Sequence, residues 1–168
     1  MKNNTEIERK FIIALPDLKM LSRLEGYDKS EIEQTYLESP PHVTHRVRAR
    51  RRANSVVFTE TKKVRIDKMS AYEDEREIGV SEYRERLENI KDGTRTLYKT
   101  RHVFVYADHV IEIDVYPEWR ETAVMEIELS SRDEKIELPA YIRVIREVTG
   151  MREYSNAAMS ERFPDEIL

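Results

Sequence analysis

The sequence contains no cysteine and has little glycine or proline. Without cysteine, the chain can form neither a disulfide framework nor a thiolate zinc site, and it has no cysteine nucleophile. Only 4 Gly and 6 Pro in 168 residues exclude collagen-like and low-complexity chains. Apolar runs are short, as in Phe11–Leu15, and Met1–Glu6 lacks the apolar core of a secretory signal. We therefore expect one domain over residues 1–168, in the cytoplasm and outside any membrane.

Charge of both signs is what the sequence has in excess. Lys and Arg number 29, Asp and Glu number 33, and the net charge is -4. Charged residues make up 37% of the chain, against roughly 25% in an average domain. The apolar fraction of 39% is too high for a disordered chain. The excess of charge must therefore be explained within a folded protein.

Apolar and polar residues alternate with a period of two along most of the chain, which is typical of β-strands. In the first such segment, Glu6, Glu8 and Lys10 share one face. Strict alternation or enrichment in β-branched residues predicts eight strands, at residues 5–13, 32–37, 45–51, 55–64, 71–78, 96–106, 109–116 and 124–130.

Helical spacing of apolar residues appears between these strands. It predicts a helix after Pro16 that ends at Gly26, and a second helix from a Ser81 cap to Ile90. A third is predicted from Pro139 to Gly150, and a short last one over residues 156–162. The predicted class is α+β, with mostly antiparallel strands and inserted helices.

The alternating faces allow two interpretations. In the first, an open sheet or sandwich exposes its charges to water and buries Ile, Val and Phe in its core. In the second, the strands close into an antiparallel barrel whose lumen is charged, and the apolar faces point outward under the helices. The sorting of charge by strand favours the second, because solvated faces usually mix the two signs.

Sixteen charged residues stand at such sorted positions. Residues i and i+2 of a strand point the same way, so their like charges repel unless counter-charges lie between them. Clustered carboxylates suit a hard cation such as Mg²⁺ or Mn²⁺, and paired Arg and Lys suit an anion with several phosphate groups. The acids are Glu6, Glu8, Glu73, Glu75, Glu77, Glu112, Asp114, Glu126 and Glu128, and the bases are Lys10, Arg46, Arg48, Arg50, Lys62, Lys99 and Arg101.

The ordered motifs resemble the CYTH domain, the family of triphosphate tunnel metalloenzymes. The segment from Glu6 to Lys10 is similar to the N-terminal E-x-E-x-K motif of that family. E-x-E-x-K alone is a weak signal, but an ordered series over nearly the whole chain is a strong one. The further matches are Gln34-Thr35-Tyr36-Leu37, the R-x-R of Arg46 and Arg48, the T-x-K ending at Thr61-Lys62, Glu73-Asp74-Glu75, Lys99-Thr100-Arg101, Glu112-Ile113-Asp114 and Glu126-Ile127-Glu128-Leu129.

The resemblance implies an eight-stranded antiparallel β-barrel, a tunnel with helices packed outside, which binds a triphosphate and one or two divalent ions, Mg²⁺ or Mn²⁺. Carried over by position, Glu73, Glu75 and Glu112 would be catalytic, with Glu73 and Glu75 completing a second metal site or positioning the attacking water. The metal would be held by Glu6, Glu8, Asp114, Glu126 and Glu128, and the phosphates by Lys10, Arg46, Arg48, Lys62, Lys99 and Arg101.

The activity that best fits the resemblance is metal-dependent hydrolysis of inorganic tripolyphosphate to pyrophosphate and phosphate. Nucleoside, RNA 5′- and thiamine triphosphates are alternative substrates, and a non-catalytic polyphosphate- or nucleotide-binding module is the alternative without turnover. A class IV adenylyl cyclase is disfavoured because the His-Phe motif of those enzymes is missing near the start. Duplex nucleic acid is disfavoured by the net charge of -4, although residues 46–52 contain five Arg. A small anionic triphosphate is thus the expected partner, bound by a monomer or a homodimer.

Overall fold

The computed structural model describes residues 5–166, so most of Met1–Glu6, on which the expectation of no secretory signal rests, lies outside the described residues. Nine strands, three short α-helices and two 3-10 helices (Leu87–Asn89 and Arg152–Tyr154) make up the regular structure of these residues. The strands are β1 (Thr5–Ala14), β2 (Asp28–Leu37), β3 (Val43–Arg52), β4 (Ser55–Arg65), β5 (Ser70–Ile78), β6 (Leu97–Tyr106), β7 (His109–Val115), β8 (Thr122–Glu128) and β9 (Val144–Glu147). The helices are α1 (Leu18–Leu21), α2 (Val80–Arg86) and α3 (Asn156–Glu161).

Eight of the strands close into an antiparallel barrel. Their order is β5-β4-β3-β2-β6-β7-β8-β1, and the pairing of β1 with β5 completes the circle. That closing contact is short, with Thr5, Glu6 and Ile7 of β1 opposite residues 70–72 of β5. Beyond it, β1 has a free edge, and the extra strand β9 pairs there with Phe11, Ile12 and Ile13. The predicted eight-stranded barrel is confirmed.

The apolar faces of the strands lie outside the barrel wall. On β1, Phe11 and Ile13 pack with Ile111, Ile113 and the other members of the largest apolar cluster. That cluster includes Leu21 of α1 and apolar residues of the segment between β8 and β9. Helix and loop residues therefore cover the outer surface of the wall, and the charged alternate residues are turned inward.

One end of the barrel interior is filled with apolar side chains. Ile12 and Val124 are opposite each other on β1 and β8, in the same alternation as the charged residues. They pack with Tyr116 and with Tyr154 and Met159 of the C-terminal segment. The interior is thus charged over most of its length and apolar at this end.

Two helix predictions need correction. The helix predicted over residues 139–150 is wrong, because residues 144–147 form β9. The β-branched Val144 and Ile145 are recruited by the free edge of β1, and tertiary pairing overrides their helical spacing. The predicted helix after Pro16 is only the single turn α1, capped by Asp17. No helix within residues 5–166 has the length and apolar character needed to span a bilayer.

Candidate active site inside the barrel

The inner face carries fifteen of the sixteen charged residues that the sequence assigns to the lumen. Strand register establishes this alternation, since Arg48 is opposite Gln34 and Thr59, and Glu8 is opposite Glu128. Lys62 is the exception. The structure brings together Glu6, Glu8, Lys10, Arg46, Arg48, Arg50, Glu73, Glu75, Glu77, Lys99, Arg101, Glu112, Asp114, Glu126 and Glu128.

Ion pairs between strands that are not neighbours show that these side chains share one interior. Lys63 of β4 lies 3.6 Å from Glu6 of β1, although β5 separates the two strands in the wall. Arg101 of β6 lies 3.6 Å from Glu126 of β8, with β7 between them. Such contacts can only be made across the inside of a curved sheet.

The prediction that Lys62 lines the tunnel is wrong. Lys62 is opposite His45 on β3 and Asp74 on β5, and both belong to the outer face. Lys63 is the inner lysine, and its ammonium lies 2.8 Å from a Glu73 carboxylate oxygen. The T-x-K spacing therefore runs from Thr61 to Lys63, since residues two apart on a strand share a face.

The arginines of β3 form the basic side of the interior. Arg48 donates from Nε and Nη2 to Gln34 Oε1, at 3.1 and 2.9 Å. Burial, together with the charges of Arg46 and Arg101, lowers the pKa of Arg48 to about 10. Among the ion pairs of residues 5–166, none neutralises Arg48. Its guanidinium is therefore a cation whose bonded partner is a neutral amide.

Arg46 also has unused hydrogen-bonding capacity. Its guanidinium is 3.6 Å from a Glu73 oxygen, and its buried Nε atom has no hydrogen-bond partner within the described part of the chain. A buried donor without an acceptor is costly, so such a group marks a place where a ligand can supply the missing acceptor.

Lys99, Arg101 and Asp114 form a compact buried group. Asp114 accepts from Lys99 Nζ at 2.6 Å and from Arg101 Nε and Nη2 at 2.7 and 2.8 Å. These two cations outweigh burial and hold the pKa of Asp114 far below its usual range. Burial and the neighbouring arginines lower the pKa of Lys99 to about 8, although Asp114 opposes this. The geometry of Asp114 is that of a counter-ion, and its predicted metal role stays a prediction.

The acidic side of the interior is crowded with like charges. Burial and the Glu73 charge raise the pKa of Glu6 to about 7. The charge of Glu126, followed by burial, raises the pKa of Glu8. Glu8 also lies directly opposite Glu128 in the β1–β8 register, an arrangement that repels when both are ionised. On this side of the interior, the carboxylates carry more negative charge than the neighbouring basic side chains neutralise.

Two lysines supply the shortest ion pairs to the carboxylates of the acidic side, and Arg46 and Arg101 approach Glu73 and Glu126 at 3.6 Å. Lys10 lies 2.9 Å from Glu126, and the carboxylates of Glu126 and Glu8 raise its pKa despite its burial. Lys10 also holds the pKa of the buried Glu126 down to about 2. Lys63 serves Glu6 and Glu73 in the same way.

The donor chemistry of the acidic side fits a divalent metal. Carboxylate oxygens are what Mg²⁺ and Mn²⁺ prefer. Burial and the charge of Glu73 raise the pKa of Glu6, and the charge of Glu126 and burial raise that of Glu8, so a bound cation would relieve the repulsive part of both. Within residues 5–166, no three acidic or histidine side chains converge as a metal centre. The carboxylates instead pair with cations such as Lys10 and Lys63. The residue types therefore fit a divalent metal, but their oxygens are not arranged around a common point.

Sequence reasoning missed three inner-face residues. Lys63 could have been found from the two-residue spacing after Thr61. Gln34 and Tyr36 are neutral, so the charge pattern did not include them, although both lie in the motif-bearing second strand. Their inner position follows from their register with Arg48 and Arg46. Arg50, placed in the lumen by the sequence, donates to Ser30 at 2.9 Å on the same face.

Solved structures of known proteins share this fold. No protein-family model matches the sequence, and no curated protein matches it significantly. The chain is similar to the inorganic triphosphatase NE1496, with a TM-score of 0.59 and 25% identity over 95% of this chain and 97% of that one. A conserved hypothetical protein from Pyrococcus furiosus gives a TM-score of 0.55 and 26% identity, with coverages of 76% and 80%.

A third solved structure is more distant. HpAC1 from Hippeastrum, described as having a dominant triphosphatase activity, gives a TM-score of 0.52 and 14% identity, with coverages of 74% and 80%. At that identity the likeness concerns the fold alone.

The closed barrel and its charged lining share the tunnel fold of these solved structures, and the resemblance to the CYTH family seen in the sequence is confirmed at that level. Among the similar structures, NE1496 matches this chain over nearly the full length of both proteins and is an inorganic triphosphatase.

Proposed function

We propose that this protein hydrolyses inorganic tripolyphosphate to pyrophosphate and phosphate in a reaction that depends on Mg²⁺ or Mn²⁺. The observation that carries the proposal is Arg48, an inward-facing guanidinium whose bonded partner is the neutral Gln34. A shielded cation without a counter-ion is unstable unless an anion binds beside it. The pKa of Arg48, lowered to about 10, reflects the free-energy cost of burying this positive charge beside other arginines.

Neighbouring groups extend this anion site. Arg46 has a buried Nε without a partner among the described residues, and Lys99 and Arg101 of β6 add two further inward-facing cations, paired with Asp114 and, for Arg101, also with Glu112. Arg and Lys side chains arranged in this way match the oxygens of consecutive phosphate groups. A ligand with several linked phosphates fits such a row better than a single phosphate does.

The acidic side supports the metal dependence. Glu6, Glu8, Glu126 and Glu128 are the residues that would hold the metal, on the basis of their oxygen donors and mutual repulsion. A bound divalent ion would supply positive charge and Lewis acidity to the phosphate oxygens. Lys10 and Lys63 would then be released from part of their pairing and could contact phosphate.

Hydrolysis requires a water placed in line with the bond that breaks. Glu75 faces the interior and accepts a hydrogen bond from Thr61 Oγ1 at 2.8 Å, so its carboxylate is held in one orientation. We assign Glu75, with Glu73 beside it, the role of orienting that water. The water oxygen forms a bond to the terminal phosphorus, the bridging P–O bond breaks, and pyrophosphate leaves.

The lining supports an inorganic substrate. The inner face is rich in charged side chains, and the inward-facing Tyr36 and Tyr116 are both buried, so neither offers an exposed ring on which a nucleobase or a thiamine ring could stack. The similarity to the inorganic triphosphatase NE1496 extends over nearly the whole chain and supports the same choice.

The test is phosphate release from tripolyphosphate, ATP, thiamine triphosphate and pyrophosphate, each with Mg²⁺, Mn²⁺ or EDTA. We expect metal-dependent release that is fastest with tripolyphosphate and lost in Arg48→Gln. Arg51→Gln is the matched control, because Arg51 is exposed on the outer face of the same strand. Faster turnover of a nucleoside or thiamine triphosphate would identify that compound as the substrate instead of tripolyphosphate. Binding without turnover would mean that the protein is a triphosphate-binding module and not a hydrolase.

A further inference from the structure

Lys10 lies at the point where β1 exchanges one neighbouring strand for another along the same edge. Before it, residues 5–7 pair with β5, and the Glu8 N–H donates to the Met69 carbonyl at 3.0 Å. After it, residues 11–13 pair with β9. The backbone N–H of Lys10 therefore falls between two strand pairings, where a shielded N–H without an acceptor would be costly.

The side chain of Thr149 supplies the acceptor. Its hydroxyl oxygen accepts from the Lys10 N–H at 2.9 Å, and the N–H of the preceding Val148 donates to the Lys10 carbonyl at 2.8 Å. Thr149 lies two residues beyond the end of β9 at Glu147, so it is no longer part of that strand. A side-chain hydroxyl thus continues the hydrogen bonding of β1 across the gap.

The partners of the Thr149 hydroxyl determine the direction of its hydrogen bonds. A backbone N–H can only donate, so the oxygen accepts from Lys10, and the hydroxyl proton goes to the Glu147 carboxylate at 2.7 Å. Two bonds from Arg9, at 2.8 and 2.7 Å, hold the same carboxylate. The bonds from Arg9, with a smaller contribution from Thr149, lower the pKa of Glu147 against the effect of its burial.

Arg9 and Lys10 are consecutive residues whose side chains point to opposite faces of β1. The N–H that Thr149 binds belongs to the peptide group that joins them, so hydrogen bonds run from Arg9 through Glu147 and Thr149 back to that peptide. A peptide held in this way fixes the direction in which Lys10 leaves the strand. The lysine ammonium then lies 2.9 Å from Glu126 in the interior.

We propose that Thr149 is a positioning residue for the reaction, and that it acts through Lys10 by holding the peptide from which that lysine points into the tunnel. The proposal rests on the proposed function, which uses Lys10 as a cation that contacts phosphate. A shift of the Lys10 backbone would weaken this contact without removing any charge from the interior. A misplacement of about 1 Å can cost on the order of a hundredfold in rate.

The test is Thr149→Val, which keeps the branched shape of the side chain and removes the hydroxyl. We expect kcat/KM for tripolyphosphate to fall roughly tenfold. Thr149→Ser keeps the hydroxyl and should stay within about twofold of the wild type. Thr100→Val is the matched control and should keep the wild-type kcat/KM, because the Thr100 hydroxyl donates to the Glu31 carboxylate at 2.8 Å on the outer face of the barrel.

A double-mutant cycle with Lys10→Gln separates positioning from a purely structural effect. Adding Thr149→Val to Lys10→Gln should lower kcat/KM by less than about twofold more, since the ammonium that Thr149 positions is already gone. The loss of Tm caused by Thr149→Val should be the same in both backgrounds, because the same N–H loses its acceptor. An equal fall in kcat/KM in both backgrounds, or a failure of Thr149→Ser to keep the rate, would show that the proposal is wrong.

Glu147→Gln enters the same cycle by a milder change, and it decides the question if Thr149→Val does not fold. It keeps an acceptor for the Thr149 hydroxyl but removes the ion pair with Arg9, so the peptide is held less firmly. We expect a fall of roughly threefold in kcat/KM that disappears in the Lys10→Gln background. The same fall in both backgrounds would contradict an action through Lys10.

The outcomes separate this proposal from the proposed function. If Arg48→Gln abolishes turnover while Thr149→Val keeps the wild-type kcat/KM, only the role of Thr149 is overturned. If Lys10→Gln itself keeps the wild-type kcat/KM, the role of Thr149 is overturned with that of Lys10, and hydrolysis stands. If the wild-type chain does not hydrolyse tripolyphosphate, both proposals are overturned.

Discussion

Lys62 and Lys63 are adjacent in the chain and lie on opposite sides of the barrel wall. Lys63 reaches Glu73 inside the barrel at 2.8 Å, whereas Lys62 is opposite His45 and Asp74 on the outer face. Because both are lysines of the same strand, comparing their variants tests the effect of lying on the inner or the outer side of the barrel wall.

Lys63→Gln should lower kcat/KM for tripolyphosphate by roughly 10- to 100-fold, because it removes an inner cation close to Glu6 and Glu73. Lys62→Gln should remain within about twofold of the wild type, a range set by its exposed position away from the interior. Steady-state phosphate release by the two variants at equal concentration checks this. Equal losses in both would contradict the assignment of the two faces.

Asp114→Asn should destabilise the protein by about 3–5 kcal/mol, because Lys99 and Arg101 would remain buried without their carboxylate. Urea unfolding at pH 7 measures the effect. Tripolyphosphate should restore part of the lost stability, since it offers these cations another anion. Asp74→Asn, on the exposed outer face of β5, is the control and should be close to neutral.

The buried carboxylate of Glu60 leads us to expect a loss of stability in acid. It is buried in the outer wall, and hydrogen bonds from Arg86, His45 and Arg76 overcome burial to lower its pKa to about 2. A depressed folded-state pKa stabilises the fold at pH values above the unfolded pKa, near 4.5, and this stabilisation is lost as the pH falls towards 2.

Glu60→Gln should therefore cost about 1–3 kcal/mol of unfolding free energy at pH 7, and this difference from the wild type should shrink between pH 4.5 and 2. Denaturant unfolding of both proteins across that range checks it. Glu88→Gln, at an exposed position, should show no such trend. A difference that stays constant down to pH 2 would contradict the assignment of this contribution to Glu60.

Gly150→Ala should destabilise the fold by more than about 1 kcal/mol, for two independent reasons. Gly150 has a φ of +74°, and an added Cβ would lie 2.8 Å from the Lys68 Cβ and carbonyl oxygen. Gly93 has nearly the same φ, +75°, but nothing within 4 Å of its added Cβ. Gly93→Ala thus isolates the backbone strain, and thermal unfolding should show a clearly larger loss for Gly150→Ala.

The strands were more predictable than the helices, and β1 illustrates why. Its alternation places Glu6, Glu8 and Lys10 on one face over five residues, and the structure has a strand from Thr5 to Ala14. The segment around Ile142 and Val148 offered a helical stripe instead. It forms β9 because β1 has a free edge beyond its short pairing with β5, a partner that local spacing cannot reveal.

The neutral part of the candidate site was not predictable in the same way. Arg48 was identified from its charge and spacing, but the sequence contains no sign that Gln34 would be its bonded partner. That relationship depends on the register of β2 against β3, which is established only when both strands pair. The counter-ion role of Asp114 between Lys99 and Arg101 depends in the same way on the pairing of β6 with β7.

The sequence by itself determined the eight strands, their alternation and the sorting of acidic and basic residues by strand, because these are local properties of residue order. Tertiary structure decided which face of each strand is inside, over which residues β1 pairs with β5, and whether Lys62 or Lys63 reaches the interior. The physical reason is that an alternating strand has two equivalent faces until closure of the barrel places one on a charged interior and the other under apolar side chains.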